Sequence, residues 1–283
     1  MLIKNLGLKR INKLGEIKFS ESPVKTRQGS YNWELIKRFP SKNSVKLTRW
    51  IIKKYSKEGS HICDPMCGIG TSLVEGIKLK RTAYGFEINK ETLNAAVENC
   101  KLVQTLHRDC GNFKVIWDGG QTVTDYLPRD FIDLVVFSPP YGKQNHMMGN
   151  SPKQVAARAE KHLYSCQEYF NDDYKEFDVV KGGMKDFYRK MGAIVEASVN
   201  AMKRGAYMVI IIQDYVRKGK PVGIVQAMVD MVLEQQTMES TGFYIRDQSK
   251  SYFKITQLKR GNSVIGVEHT LIFRKVGYNG DNR

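Results

Sequence analysis

Along this chain the hydrophobic positions change their period repeatedly, and each change marks an element. In SVKLTRWIIKKYS (44–56), Val45, Leu47, Trp50, Ile51 and Tyr55 recur at helical spacing, which predicts an amphipathic helix. SHICDP (60–65) is a short apolar run stopped by proline. TSLVEGIKLK (71–80) returns to the helical period with Leu73, Val74 and Ile77 on the inner face. TAYGFEI (82–88) reads as a strand, and KETLNAAVENCKLVQ (90–104) as a helix with Leu93, Ala96, Val97 and Cys100 on one side. FKVIWD (113–118) and DLVVFS (133–138) are strand-like. A helix follows at about 184–203, then the nearly unbroken apolar run AYMVIIIQD (206–214), then a helix over 221–236. TGFYIRDQ and EHTLIFRK close the chain as a strand pair.

Strands that alternate with helices and are apolar throughout belong to a mostly parallel sheet covered on both faces. The expected fold is therefore α/β: a doubly wound, mostly parallel, seven-stranded sheet with an antiparallel C-terminal edge hairpin. The polar stretch 142–183 is too long for an ordinary connection, and such stretches usually carry function. Residues 1–28 hold seven Lys/Arg against two acids with little periodicity, which suggests a basic N-terminal arm ahead of a catalytic domain at 29–283.

Composition narrows the class. No apolar run approaches the roughly 20 residues of a membrane helix, and the basic N-terminus lacks the apolar block of a secretory signal. The five cysteines (Cys63, Cys67, Cys100, Cys110, Cys166) form no CxxC pair, as expected of a reduced, cytoplasmic protein without a metal centre. The net charge of +16 points to a polyanionic partner.

In an open parallel sheet, ligands bind at the carboxyl ends of the strands. The first strand ends in DPMCGIGT: Asp64, Pro65, Met66, Cys67, Gly68, Gly70 and Thr71. The two glycines permit a tight turn and close backbone approach before a helix N-terminus. A dinucleotide fingerprint would place a third glycine where Leu73 stands, and no Gly-Lys-Ser/Thr of a phosphate loop follows. Glu87 and its neighbour Ile88 close the second strand, 23 residues after Asp64, where an acid can accept the hydroxyls of a ribose. Asp118, closing the third strand, can accept an exocyclic amine, although an Asp-Gly turn needs no ligand to explain it. Three acids at three successive strand ends suit an adenosine that bears no phosphate. Cys67 reads as packing.

The fourth strand runs into Ser138, Pro139, Pro140 and Tyr141. With DPMCGIGT, this SPPY resembles the S-adenosylmethionine-dependent DNA amino-methyltransferases, with Met66 where phenylalanine is commoner. The resemblance covers roughly residues 30–275; RFPSKNSVKLTRWI (38–51) is similar to the segment beside the methionine end of the cofactor. It implies S-adenosyl-L-methionine as cofactor, DNA as substrate, and a cognate restriction endonuclease as a possible partner. It also implies a cofactor role for the DPMCGIGT residues, Glu87, Ile88, Asp118 and Ser138. An aromatic amine is a poor nucleophile because its lone pair is delocalised. The Ser138 hydroxyl and the Pro139 carbonyl are acceptors that can pull it toward tetrahedral geometry, with both prolines fixing φ and removing donors. Tyr141 offers a flat face for a base turned out of the duplex. Family members with Ser at this position more often methylate N4 of cytosine, and those with Asp or Asn N6 of adenine.

DNA contacts are expected from Lys143, Lys153, Arg158 and Lys161 in the polar stretch, which also carries His146 and His162. Further contacts are expected from Arg217, Lys218 and Lys220 and from Lys250, Lys254, Lys259 and Arg260. An RNA base methyltransferase and a non-catalytic nucleic-acid-binding module are the alternatives.

Overall fold

The computed structural model describes residues 31, 43–140, 184–214, 216–217, 220–247 and 265–277, and the backbone of 14–16. Within them runs β1 (Leu14–Glu16), α1 (Val45–Tyr55), β2 (His61–Asp64), α2 (Thr71–Lys78), β3 (Thr82–Phe86), α3 (Lys90–Leu106) and β4 (Phe113–Ile116). A short 3-10 turn then leads into α4 (Val123–Tyr126), followed by β5 (Ile132–Phe137), α5 (Met184–Ala201) and β6 (Met202–Ile212). A small hairpin, β7 (Val216–Arg217) and β8 (Lys220–Pro221), precedes α6 (Ile224–Leu233), β9 (Met238–Asp247) and β10 (Val267–Lys275).

The main sheet has the order β1-β9-β10-β6-β5-β2-β3-β4. From β4 to β6 all neighbours are parallel, and β10 is antiparallel to both β6 and β9. The seven strands expected from the hydrophobic pattern are all present. The addition is β1, three residues inside the predicted basic arm, which pairs in parallel with β9 through Leu14↔Phe243 and so lies outside the C-terminal hairpin. The hairpin is therefore built into the sheet, with β10 inserted between β9 and β6.

Alternation within the apolar strands explains why both faces are covered. Leu134 and Val136 of β5 join Val209 and Ile211 of β6 under α1, α2 and α3, in a cluster with Leu47, Ile51, Leu73, Val74, Ala96 and Val103. Val135, Phe137, Met208, Ile210 and Ile212 point the other way and pack against Phe187, Met191, Val195, Met228 and Val232 of α5 and α6. A strand buried on both sides cannot show a polar alternation, hence the continuous runs.

Local chemistry sets the helix starts. The Ser44 hydroxyl accepts from the Leu47 amide (3.2 Å) ahead of α1, and Asn89 Oδ1 accepts from the Thr92 amide (2.9 Å) ahead of α3. Sequence periodicity begins the sixth helix at 221, but Pro221 belongs to β8 and the cap is Gly223, so α6 starts at Ile224. No helix among the described residues is long and apolar enough to cross a membrane.

Candidate active site

The strand order reverses between β2 and β5. From β2 the chain winds outward to β3 and β4, then returns to β5 on β2's other side. Such a switch point leaves a crevice at the carboxyl ends of the strands.

Asp64 closes β2 and turns its carboxylate back on the loop that follows. Oδ1 accepts from the Met66 amide (3.0 Å), and the Ser72 hydroxyl donates to Oδ2. The side chain is buried, and burial pushes its carboxyl up to about 7 against the pull of these two bonds. Asp64 thus shapes the turn. The Cys67 amide donates to the Phe86 carbonyl (2.9 Å). Its thiol lies 2.8 Å from where a Cβ on Gly85 would sit, and burial raises its pKa, so Cys67 packs rather than reacts. Met66 packs against the core on the α5 side. A Cβ on Gly120 would come within 2.5 Å of the Pro65 carbonyl oxygen, so glycine alone lets the β4–α4 connection cross here.

Gly70 caps α2 with φ 81°, a left-handed conformation, and a Cβ there would stand 3.1 Å from that of Ala96. One turn further along α3, the buried Asn99 amide donates to the Ile69 carbonyl (3.0 Å). Ala96 and Asn99 therefore hold residues 69–70 from one helix face. Gly68 has φ 53°, and Thr71 is the first, buried residue of α2.

Glu87 follows β3. Oε2 accepts from the Gly68 amide (3.0 Å) and Oε1 from the Asn89 amide (2.9 Å), so one carboxylate ties the glycine turn to the next strand. Burial pushes this carboxyl up to about 7, the amides opposing and the charge of Asp64 adding to the rise. The Ile88 carbonyl accepts from the Trp117 indole (3.0 Å), whose ring carries the Lys90 ammonium 3.7 Å from its centre. Asp118 Oδ1 accepts from the Gly119 amide (2.7 Å), and the Tyr126 hydroxyl donates to Oδ2 (2.9 Å).

The three expected acids thus stand at the tips of three neighbouring parallel strands. Each accepts two bonds from the protein, and an ionised carboxylate has about four acceptor sites. Ribose hydroxyls, an amine or a cation fit such a set. A phosphate is disfavoured by the three carboxylates at these tips.

β5 pairs in parallel with β2 through Ile62↔Leu134 and Cys63↔Val135. The two strands leave the sheet side by side, about 4.8 Å apart. The tip of β5 is Ser138, part-buried, then Pro139, buried, and Pro140, part-buried. Tyr141, Lys143, Lys153, Arg158, Lys161, Lys218, Lys259 and Arg260 lie outside the described residues, as do His146, His162, Lys250, Lys254 and the whole polar stretch 142–183. The backbone of Arg217 lies in β7, beyond β6's tip.

Sequence reading missed Ser72, Asn99, Gly120 and Tyr126, which hold the turn or its acids. Asn99 left a signal: a polar residue on the buried side of α3, three positions after Ala96.

The fold is the doubly wound, mostly parallel α/β sheet with an antiparallel C-terminal hairpin that the hydrophobic pattern predicts. Residues 9–98 match the model of a family described as DNA methylase. That family is S-adenosylmethionine-dependent, and the matched stretch is 90 of the chain's 283 residues. A curated relative, "Probable tRNA (guanine(10)-N2)-dimethyltransferase" of Methanothermococcus thermolithotrophicus, is 28% identical over 96 residues, which are 33% of this chain and 58% of that protein. The structure of TrmN from Thermus thermophilus is similar at a TM-score of 0.50 and 12% identity, over 91% of this chain and 55% of that one. PH0851 is similar at 0.52 and 10%, over 83% and 46%. The chain thus spans little more than half the length of the curated relative.

Proposed function

We propose that the protein methylates an exocyclic amine of a DNA base, N4 of cytosine before N6 of adenine. The observation that carries the reading is the parallel pairing of β2 with β5. It brings the turn tied down by Asp64 and Glu87 to the same end of the sheet as Ser138-Pro-Pro. The DNA methylase model matched by residues 9–98 supports DNA over other polyanions.

S-adenosylmethionine, when bound, would supply a methyl group already activated by its sulfonium, which would leave as the neutral thioether while the surplus amine proton passed to water. Glu87 accepts from the ribose, and Asp118 from the adenine amine. Ser138 Oγ and the Pro139 carbonyl accept from the target amine and aim its lone pair. The prolines contribute no N–H to compete for that amine. Tyr141 stacks on the extruded base. Catalysis of this kind is mostly positioning.

A second reading, methylation of a tRNA base amine, is favoured by the curated relative over the 96 residues it matches. The test is to incubate the protein with labelled cofactor and, separately, genomic DNA and total tRNA, then to identify the labelled nucleoside by mass spectrometry. Label in N4-methylcytosine supports the first reading; label confined to tRNA replaces it with the second; no label in either refutes both.

A further inference from the structure

Asp118, at the tip of β4, is held by two bonds of different kinds. One comes from the amide of its own neighbour, Gly119, to Oδ1 (2.7 Å). The other comes from the Tyr126 hydroxyl, eight residues on at the end of α4, to Oδ2 (2.9 Å). We infer that Tyr126 is a positioning residue that makes the cofactor site selective for a 6-aminopurine, by aiming the Asp118 carboxylate at the amine. The inference rests on the reading above, in which Asp118 accepts from the adenine of the cofactor.

The chain between the two residues is built to hold that distance. Thr122 closes the turn after Asp118, donating to the Gly119 carbonyl through both its amide (3.0 Å) and its hydroxyl (2.8 Å). Val123 and Leu127 sit on either side of Tyr126 in sequence and are buried in the same core as Phe86. The Tyr126 ring meets that of Phe86 edge-on, with centroids 5.9 Å apart. Packing therefore fixes the ring, and the ring fixes where its hydroxyl points. Asp118 is half-buried and Tyr126 is 44% exposed, so a ligand on the strand tips can meet both.

An ionised carboxylate has about four acceptor sites, and the two bonds take one on each oxygen. The sites that remain can only accept. An adenine offers them an N–H donor at position 6, whereas a 6-oxo purine sets acceptor against acceptor. A site built to bond a particular N–H rejects an analogue without it, because its own polar groups are then left unpaired. That rejection needs a carboxylate that does not turn aside, and the terminal torsion of an aspartate is soft. With both oxygens bonded, Asp118 keeps its plane; without the Tyr126 hydroxyl it pivots on the Gly119 amide alone.

The test compares S-adenosylhomocysteine with its 6-oxo counterpart, S-inosylhomocysteine, by calorimetry on wild type and Tyr126→Phe. The substitution keeps the ring against Phe86 and removes only the hydroxyl. Wild type is expected to bind the amino compound about tenfold or more tightly than the oxo compound. In Tyr126→Phe, affinity for the amino compound is expected to fall roughly fivefold or more, with affinity for the oxo compound held to within about twofold. A hydroxyl that merely braces α4 weakens both compounds alike. Equal losses, or an unchanged preference, overturn the inference and leave the proposed function standing. Wild type that binds the two compounds equally removes Asp118 from the adenine, and wild type that binds neither removes the cofactor reading; either result overturns the inference as well.

Discussion

Glu87 accepts two backbone amides in the free protein and sits where burial raises its carboxyl to about 7. A proton on it blocks an acceptor that a ribose hydroxyl needs. Cofactor affinity should therefore rise about tenfold from pH 6 to pH 8, as one group with such a pKa goes from mostly protonated to mostly ionised. Calorimetry of Glu87→Gln should give weaker binding and a flatter pH profile. The folded state holds this proton above pH 4.5, where the unfolded chain releases it, so the group favours folding at low pH. That contribution shrinks as pH rises through about 7. Urea midpoints at pH 5 and pH 8 should thus differ less in Glu87→Gln than in wild type. Ser138 is proposed for the chemistry instead: Ser138→Ala should cut kcat by a hundredfold or more, on the scale of a lost transition-state contact, with cofactor affinity unchanged. Equal loss of both would contradict its role. For Tyr141, turnover should drop more in Tyr141→Ala than in Tyr141→Phe, since a stacked base needs the ring.

At the scale of elements, the glycine turn is shaped from three sides: by Asp64 and Ser72, by Glu87, and by Ala96 and Asn99 on α3. Asn99→Leu keeps the volume and leaves the Ile69 carbonyl without its donor, a loss of about 1–3 kcal/mol in stability. Because the turn it loosens is the proposed cofactor turn, KM for the cofactor should rise while kcat at saturation holds. A fall in kcat alone would count against this. Gly70→Ala combines a left-handed backbone, about 1–2 kcal/mol of strain, with a close approach to Ala96; thermal melts should show it less stable than wild type. Existence and order of these elements were readable because periodicity is local: Leu73, Val74 and Ile77 are all fully buried, as α2's spacing predicts. Asn99 was not readable as a tether, because its partner lies 30 residues away in sequence. Periodicity identifies a buried face but not a particular carbonyl upon it.

At the scale of the molecule, the charge of +16 predicts nucleic-acid affinity that falls steeply with salt. A flat response would point to a small, uncharged acceptor. Saturating cofactor should raise the melting temperature of wild type, since a ligand at a hundred times its Kd contributes about 2.7 kcal/mol. That rise should shrink in Glu87→Gln and persist in Ser138→Ala.

The hydrophobic pattern alone was enough for the α/β class, the run of strands and helices, and the residue types at the strand ends, because burial and turn chemistry act between near neighbours in the chain. Three things depended on the folded arrangement: the pairing of β2 with β5, the edge strand β1 within the basic arm, and the closing of Asp64 onto Ser72 across the glycine turn. Each joins groups through space whose separation along the chain carries no periodic signal, so their free energies become visible only when the sheet brings them together.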